Sequence, residues 1–431
     1  MRKIATLFLI GLLVIGVGVF AADKKVVTVM HGWPGAQAPA FQKIVDAFEA
    51  QNPNIDVQVE IVGRDRPAVL ATRLAAGNPP DITPHPWIGM MKQWADAGQI
   101  VDLTGLVDTS QVNPALLPIG EYKDGLYGLF IFPNVKSCVW YNPKVFAAKG
   151  YEIPTTWYEL LALSDKIKAD GGVPWSIGLE SGAASGWPGT DWLEDIMLRT
   201  AGPAVYDKWI AHEIPWTDPR VKKAFEIFGS LFDNGYVLGG RTGALTTNFG
   251  DAADPLFTTP PTAYMSKQAT FIQGFIKDHF PNLVAGEDYD FFTFPTITPK
   301  ATPDGSNPIL VSGDVVTVFN TGGPLDGTRP EVIKFAEFLT SKEAATIWST
   351  ELGELSANKD ADPSIFTNPI TKKAQEMLMN ANYSRYDGSD MMPAEIGAGA
   401  FWSAMLDYVS GVPINTVLES LEQAAIEAYG N

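Results

Sequence analysis

Apolar positions along the chain change their period repeatedly, and each change marks an element. Val26 to Met30 is a short continuous apolar run, as in a strand covered on both faces. Phe41, Ile44, Val45 and Phe48 then recur at helical spacing. Pro53-Asn54 ends that helix, and Ile55, Val57, Val59 and Ile61 alternate with polar residues. Residues 25–62 are therefore predicted to form a β-α-β unit with parallel strands and a right-handed crossover. Further apolar segments follow at Leu126–Phe132 and Ser137–Tyr141.

Helix starts and stops are written locally in the middle of the chain. Thr156-Trp157-Tyr158-Glu159 predicts a capping box, with the Thr hydroxyl and the Glu carboxylate each meeting a free backbone N–H. Asp218-Pro219 opens a second helix, Val221, Phe225, Phe228 and Phe232 line its inner face, and Asn234-Gly235 supplies a left-handed stop. Strand-like runs resume at Tyr289–Pro295 and Ile309–Phe319, before helical Val332, Phe335, Ala336 and Leu339, and the C-terminal quarter reads mostly helical. There is no low-complexity linker and no repeat, so domains must be joined by ordered crossings.

The first residues specify a compartment. Arg2 and Lys3 precede an apolar run from Ile4 to Phe20, and Val19-Phe20-Ala21 offers small residues at the positions a signal peptidase reads. Cleavage is expected after Ala21, giving a soluble periplasmic protein with no direct insertion into the membrane. No Cys stands beside that site to accept a lipid anchor. Length, 431 residues, implies two or three domains, and 31 Lys+Arg against 49 Asp+Glu leaves a formal charge of −18. That acidity argues against nucleic acid or an anionic lipid surface as a partner. The single cysteine, Cys138, sits in an apolar run without a base beside it and reads as buried packing.

Common catalytic signatures are missing. His31, His85, His212 and His279 are scattered without metal-ligand spacing, and there is no Gly-x-Ser-x-Gly elbow, Walker loop or complete dinucleotide fingerprint. No cofactor or metal is called for. A pair of carboxylates acting as an exported glycoside hydrolase remains the alternative function. A cleft for a polyol phosphate would want basic clusters in the candidate loops, which hold few.

Tryptophan placement points instead to binding. Trp175, Trp187, Trp192, Trp209 and Trp216 crowd into one stretch, where core packing accounts for several. Trp33 in His31-Gly32-Trp33-Pro34-Gly35 and Trp87 after His85-Pro86 fall in strand-to-helix loops. Such loops, at the carboxyl ends of strands, border the ligand crevice of α/β folds. An indole there offers a flat apolar face to the C–H groups of a pyranose, while Asp, Glu, Asn or His side chains meet its hydroxyls.

The order of segments resembles the periplasmic sugar-binding proteins of ABC importers, the extracellular solute-binding family that includes maltose-binding protein. The resemblance rests on Leu74-Ala75-Ala76-Gly77-Asn78-Pro79-Pro80-Asp81-Ile82, Ala97-Gly98-Gln99-Ile100-Val101-Asp102-Leu103 and Asp124-Gly125-Leu126-Tyr127-Gly128-Leu129. It continues through Trp140-Tyr141-Asn142-Pro143, Pro154 to Leu160, Lys334 to Ser341, and Pro393 to Trp402. It implies an α/β two-lobed periplasmic-binding-protein fold, each lobe a sheet flanked by helices. The N-terminal lobe would comprise 22–133 and 297–352, and the C-terminal lobe 134–296 and 353–431, with hinges near 133–136, 293–297 and 350–356.

By the same resemblance the chain is no enzyme. It captures a neutral sugar, of two or more rings, between the lobes as a monomer and delivers it to a membrane-embedded permease. Trp402 aligns with a stacking Trp of the family, and Phe271 stands where another such Trp occurs. Ala269 and Leu406 depart from the maltose-binding pattern. The loops with Trp33, His85 and Trp87, and Trp187 to Asp191, correspond to ligand-contact loops, implying stacking for the Trp residues and hydroxyl recognition for His85 and Asp191. Asp314, in Ser312-Gly313-Asp314, either binds hydroxyls or caps a turn, and Glu395 is a further candidate near Trp402.

Overall fold

The computed structural model describes residues 24–430 apart from 115, 323–328, 362, 363 and 365, so the expected signal peptide lies outside the described residues. The β-α-β unit forms as its pattern demands: strand Lys25–His31, helix Gln37–Gln51 and strand Ile55–Ile61. The two strands pair in parallel from Lys25 opposite Ile55 to His31 opposite Ile61. Strand Ile82–His85 joins the other side of the first strand, also in parallel. All three strands thus end on one side of the sheet, where their loops gather.

Long strand Ile309–Val318 runs antiparallel to Ile82–His85 and to Leu129–Val135, and short strand Ser384–Tyr386 adds at its start. A second sheet of three antiparallel strands, Met265–Lys267, Cys138–Tyr141 and Asp290–Thr293, forms the heart of the other lobe. The chain passes from one sheet to the other within Lys136-Ser137, between two strands that belong to different lobes. Strand Ser384–Tyr386 lies inside the stretch expected for the C-terminal lobe, yet it is hydrogen-bonded into the first sheet. A segment this short carries too little pattern to be read as a strand, and pairing with Ile309–Val311 is what makes it one.

Helix Trp157–Ala169 carries the expected capping box, with Glu159 N–H donating to Thr156 Oγ1 at 3.2 Å and Thr156 N–H donating to Glu159 Oε2 at 3.1 Å. Helix Pro219–Asp233 starts on an Asp218 cap and is followed by Gly235 at φ +66°. Two core clusters each belong to one lobe, and a third runs across the crossing from Met30 and Ile88 through Val135 to Cys138 and Trp140. Val27, Phe41, Ile44, Phe48 and Phe335 pack in the first lobe, whereas Trp175, Trp192, Trp209, Trp216 and Phe228 are sealed inside the second. Cys138 is fully buried. No helix among the described residues is long and apolar enough to cross a membrane.

Candidate functional site

Between the two sheets lies a cleft with about 160 Å³ accessible to solvent. At roughly 10–15 Å³ per water centre, that is room for on the order of ten waters, about the bulk of one or two sugar rings. The first lobe contributes the loops that end its parallel strands: Gly32-Trp33-Pro34 after the first, Gly63 and Arg66 after the second, Pro86-Trp87 after the third. From the second lobe come Ala184, Trp187, Phe249, Phe271, Phe275 and Trp402. Trp33, Trp87, Trp187 and Trp402 each keep only 7–9% of their surface exposed. Their rings form the walls of the cleft rather than free surface.

Each wall is held by its own chemistry. The Trp33 indole donates to Asp314 Oδ2 at 2.6 Å. Asp314 reaches that position because the Ile309–Val318 strand bulges between Ser312 and Asp314, and a bulge re-aims the side chain that follows it. Gly313 is required there, since a Cβ would lie 2.4 Å from the Phe130 ring. His31 Nδ1 accepts the Trp33 backbone N–H at 3.2 Å, and burial first, then the Arg66 charge, lowers the His31 pKa to about 4, so the imidazole is neutral.

Two cations cover aromatic faces. The Arg66 guanidinium lies 4.7 Å from the Trp87 ring centre, and Lys136 Nζ lies 5.1 Å from that of Trp187. Burial lowers the Arg66 pKa to about 10, partly opposed by Asp314, and it stays protonated at neutral pH. Lys136 is clamped between Asp191, at 2.8 Å, and Asp387, and all three side chains are at most 6% exposed. Burial pushes Asp191 up to about 7 against the pull of Lys136. For Asp387, the Lys136 ammonium overcomes burial and holds the carboxyl below its ordinary value. Asp390 is driven well above its ordinary value by burial and by the charge of Asp387.

Of the residues singled out from sequence, Trp33, Trp87, Trp187, Phe271, Asp314 and Trp402 line this one cleft. His85, Asp191 and Glu395 do not. His85 is fully buried in its strand, with Nε2 2.8 Å from Thr317 Oγ1, and its ring stacks on Trp87 at 5.7 Å. Asp191 lies behind Lys136, and Glu395 is exposed and accepts from Gln93 at 2.8 Å. Phe249, Arg66, Lys136, Asp387 and Asp390 escaped the sequence reading. Arg66, at the start of helix Arg66–Ala75, and Lys136, at the crossing between strands Leu129–Val135 and Cys138–Tyr141, stand outside the aromatic loops singled out as candidates. Arg241 binds Asp233 at 2.8 Å and is not among the residues lining the cleft.

Two sheets joined by crossings, with the site between them, define a two-lobed solute-binding architecture. The protein belongs to the bacterial extracellular solute-binding proteins, whose family model matches residues 33–346. It is 38% identical over 408 residues to the osmoprotective compounds-binding protein GgtB of Synechocystis sp., covering 93% of each chain. It is 36% identical over 412 residues to the alpha-glucosides-binding periplasmic protein AglE of Rhizobium meliloti, covering 93% of this chain and 87% of the relative. Among solved structures, a chitin oligosaccharide binding protein superposes with a TM-score of 0.82 at 19% identity, over 95% of this chain and 100% of its own. The solute receptor AcbH, described with a preference for β-D-galactopyranose, gives 0.79 at 22% identity, over 94% and 100%.

Proposed function

We propose that the protein captures a neutral carbohydrate of one or two rings in this cleft and presents it to the membrane permease of an ABC importer. The observation that carries the reading is the cleft wall itself. Trp33 and Trp87 from one lobe face Trp187, Phe271 and Trp402 from the other across a space of sugar size. Lys136 is already matched by Asp191 and Asp387, and Arg66 lies within the field of Asp314. A ligand with a full charge would have to break these pairings, whereas hydroxyls can share their oxygens and protons. Asn134, Ser312, Asp314, Ser389 and Asp390 are the polar partners at hand. GgtB and AglE, named for osmoprotective compounds and for alpha-glucosides, are consistent with such a ligand.

Lobes divided as 22–133 with 297–352 and 134–296 with 353–431, save that Ser384–Tyr386 joins the first sheet, would close about the crossings, and ligand held by both lobes would favour the closed state by its differential affinity. Hydrolysis has little support from this arrangement. A glycosidase needs two carboxylates flanking open space, but of those lining the cleft Asp387 is held by the buried Lys136 ammonium and Asp314 by the Trp33 indole. Calorimetric titration with maltose, sucrose, trehalose, galactose and inositol phosphate, followed by chromatography of the sugar, tests the proposal. Saturable binding of a neutral sugar recovered intact is expected. Binding of the phosphate alone, or released monosaccharide, would overturn it.

A further inference from the structure

Helix Gln37–Gln51 begins directly after the Trp33 loop, and it begins badly. Its N-cap is Ala36, no side chain of its own caps it, and no acidic residue occupies its first turn. An uncapped N-terminus leaves backbone N–H groups and a positive dipole end unsatisfied. The missing acceptor comes from the opposite lobe: Asp278, on helix Ile272–His279, takes the Ala36 N–H on Oδ2 at 3.2 Å. The approach is close enough that a Cβ on Gly35, whose φ is +53°, would lie 2.7 Å from that oxygen. Only glycine admits both the backbone angle and the contact.

We infer that Asp278 is a closure latch, capping a helix of the first lobe from the second and so stabilising the closed arrangement in which the Trp33 loop meets the ligand. The cap exists only when the lobes are together, because its donor and acceptor belong to opposite lobes. Opening the cleft leaves the Gln37–Gln51 terminus to water. Asp278 is not among the residues lining the cleft, so it acts on the population of closed molecules and through the Trp33 loop, as a positioning residue. The inference rests on the binding reading for its biological use, but the latch itself does not require a ligand.

Spin labels on exposed Asp46→Cys in the first lobe and Glu213→Cys in the second report the interlobe distance, and buried Cys138 stays unlabelled. Distances are measured without sugar and with maltose, for the wild-type background, Asp278→Ala and Asp278→Asn. Asp278→Ala should lower the closed-to-open ratio of the sugar-free protein about two- to fivefold, the factor expected of a charge at an exposed helix terminus. Asp278→Asn, which keeps an acceptor without the charge, should fall between, and added salt should narrow the difference. Melting curves of the variants should overlay that of the parent, which separates a latch from a merely structural residue. Distance distributions of Asp278→Ala that superimpose on the parent, or a parent without a closed population, would overturn the inference. If maltose and every other sugar fail to bind while the Asp278→Ala shift persists, the latch stands and the carbohydrate reading falls.

Discussion

Replacing Lys136 by Met should expose how the cleft floor is held together. The ammonium sits between Asp191 and Asp387, its side chain 6% exposed and theirs 3% and 2%. Met fills similar volume, so the perturbation is electrostatic: two carboxylates are left buried without their cation. Removing one member of a buried pair costs about 3–5 kcal/mol, and this range is the expected loss at pH 8. The variant can relieve part of the cost by keeping a proton that the parent releases. A retained proton changes the deficit by about 1.4 kcal/mol for each pH unit over which the parent has released it, so between pH 8 and pH 6 the loss should shrink by about 1.4 kcal/mol if the proton stays on Asp191 and by about 2.7 kcal/mol if it stays on Asp387.

The sign follows from the direction of the shifts. A carboxyl whose folded pKa is raised stabilises the fold below its unfolded value and loses that contribution as pH rises through the folded one. Asp191 already behaves this way in the parent, at about 7, so the comparison must be the difference between variant and parent at each pH. Urea unfolding at pH 6, 7 and 8, followed by tryptophan fluorescence, gives that difference. A deficit under about 1 kcal/mol at pH 8, or one independent of pH, would refute an ion-paired floor.

Trp402→Ala should weaken sugar binding by about 1–3 kcal/mol in calorimetry, while Trp192→Ala, sealed in the second-lobe core, should cost about 3–5 kcal/mol of stability instead. Gly186→Ala should also impair binding: φ is +108°, and a Cβ there would stand 2.2 Å from the Trp402 carbonyl oxygen. The Trp402 backbone must shift, and the expected cost of about 1–3 kcal/mol is read from affinity and melting together. Thr156→Ala removes the capping-box acceptor, remote from the cleft, and should lower stability by about 0.5–2 kcal/mol with unchanged sugar affinity.

Elements written in short range were legible in the chain. The β-α-β start, the Thr156 box, the Asp218 cap and the Gly235 stop depend on neighbours within a few residues, where period, capping chemistry and backbone sterics act. Part of the aromatic wall was legible from pattern: Trp33 and Trp87 stand in strand-to-helix loops, which converge at one edge of a parallel sheet. Trp187, Phe271 and Trp402 were placed by resemblance to the family, and with Asp314 they line the same cleft.

What the sequence could not convey is which polar groups face one another across hundreds of residues. Lys136 meets Asp387 only because the chain returns to the cleft, and Arg66 lies over Trp87 only because the strands Ile55–Ile61 and Ile82–His85, one on each side of Lys25–His31, end at the same edge of the sheet. His85 and Asp191 were plausible hydroxyl partners by position, but Thr317 and Lys136 occupy them. Local pattern determined the elements and the Trp33 and Trp87 loops that border the site, since those follow from covalent neighbours and hydrophobic period. Tertiary structure alone decided the charge balance of the cleft and the contacts that close it, since electrostatic pairing depends on distance in space and on burial.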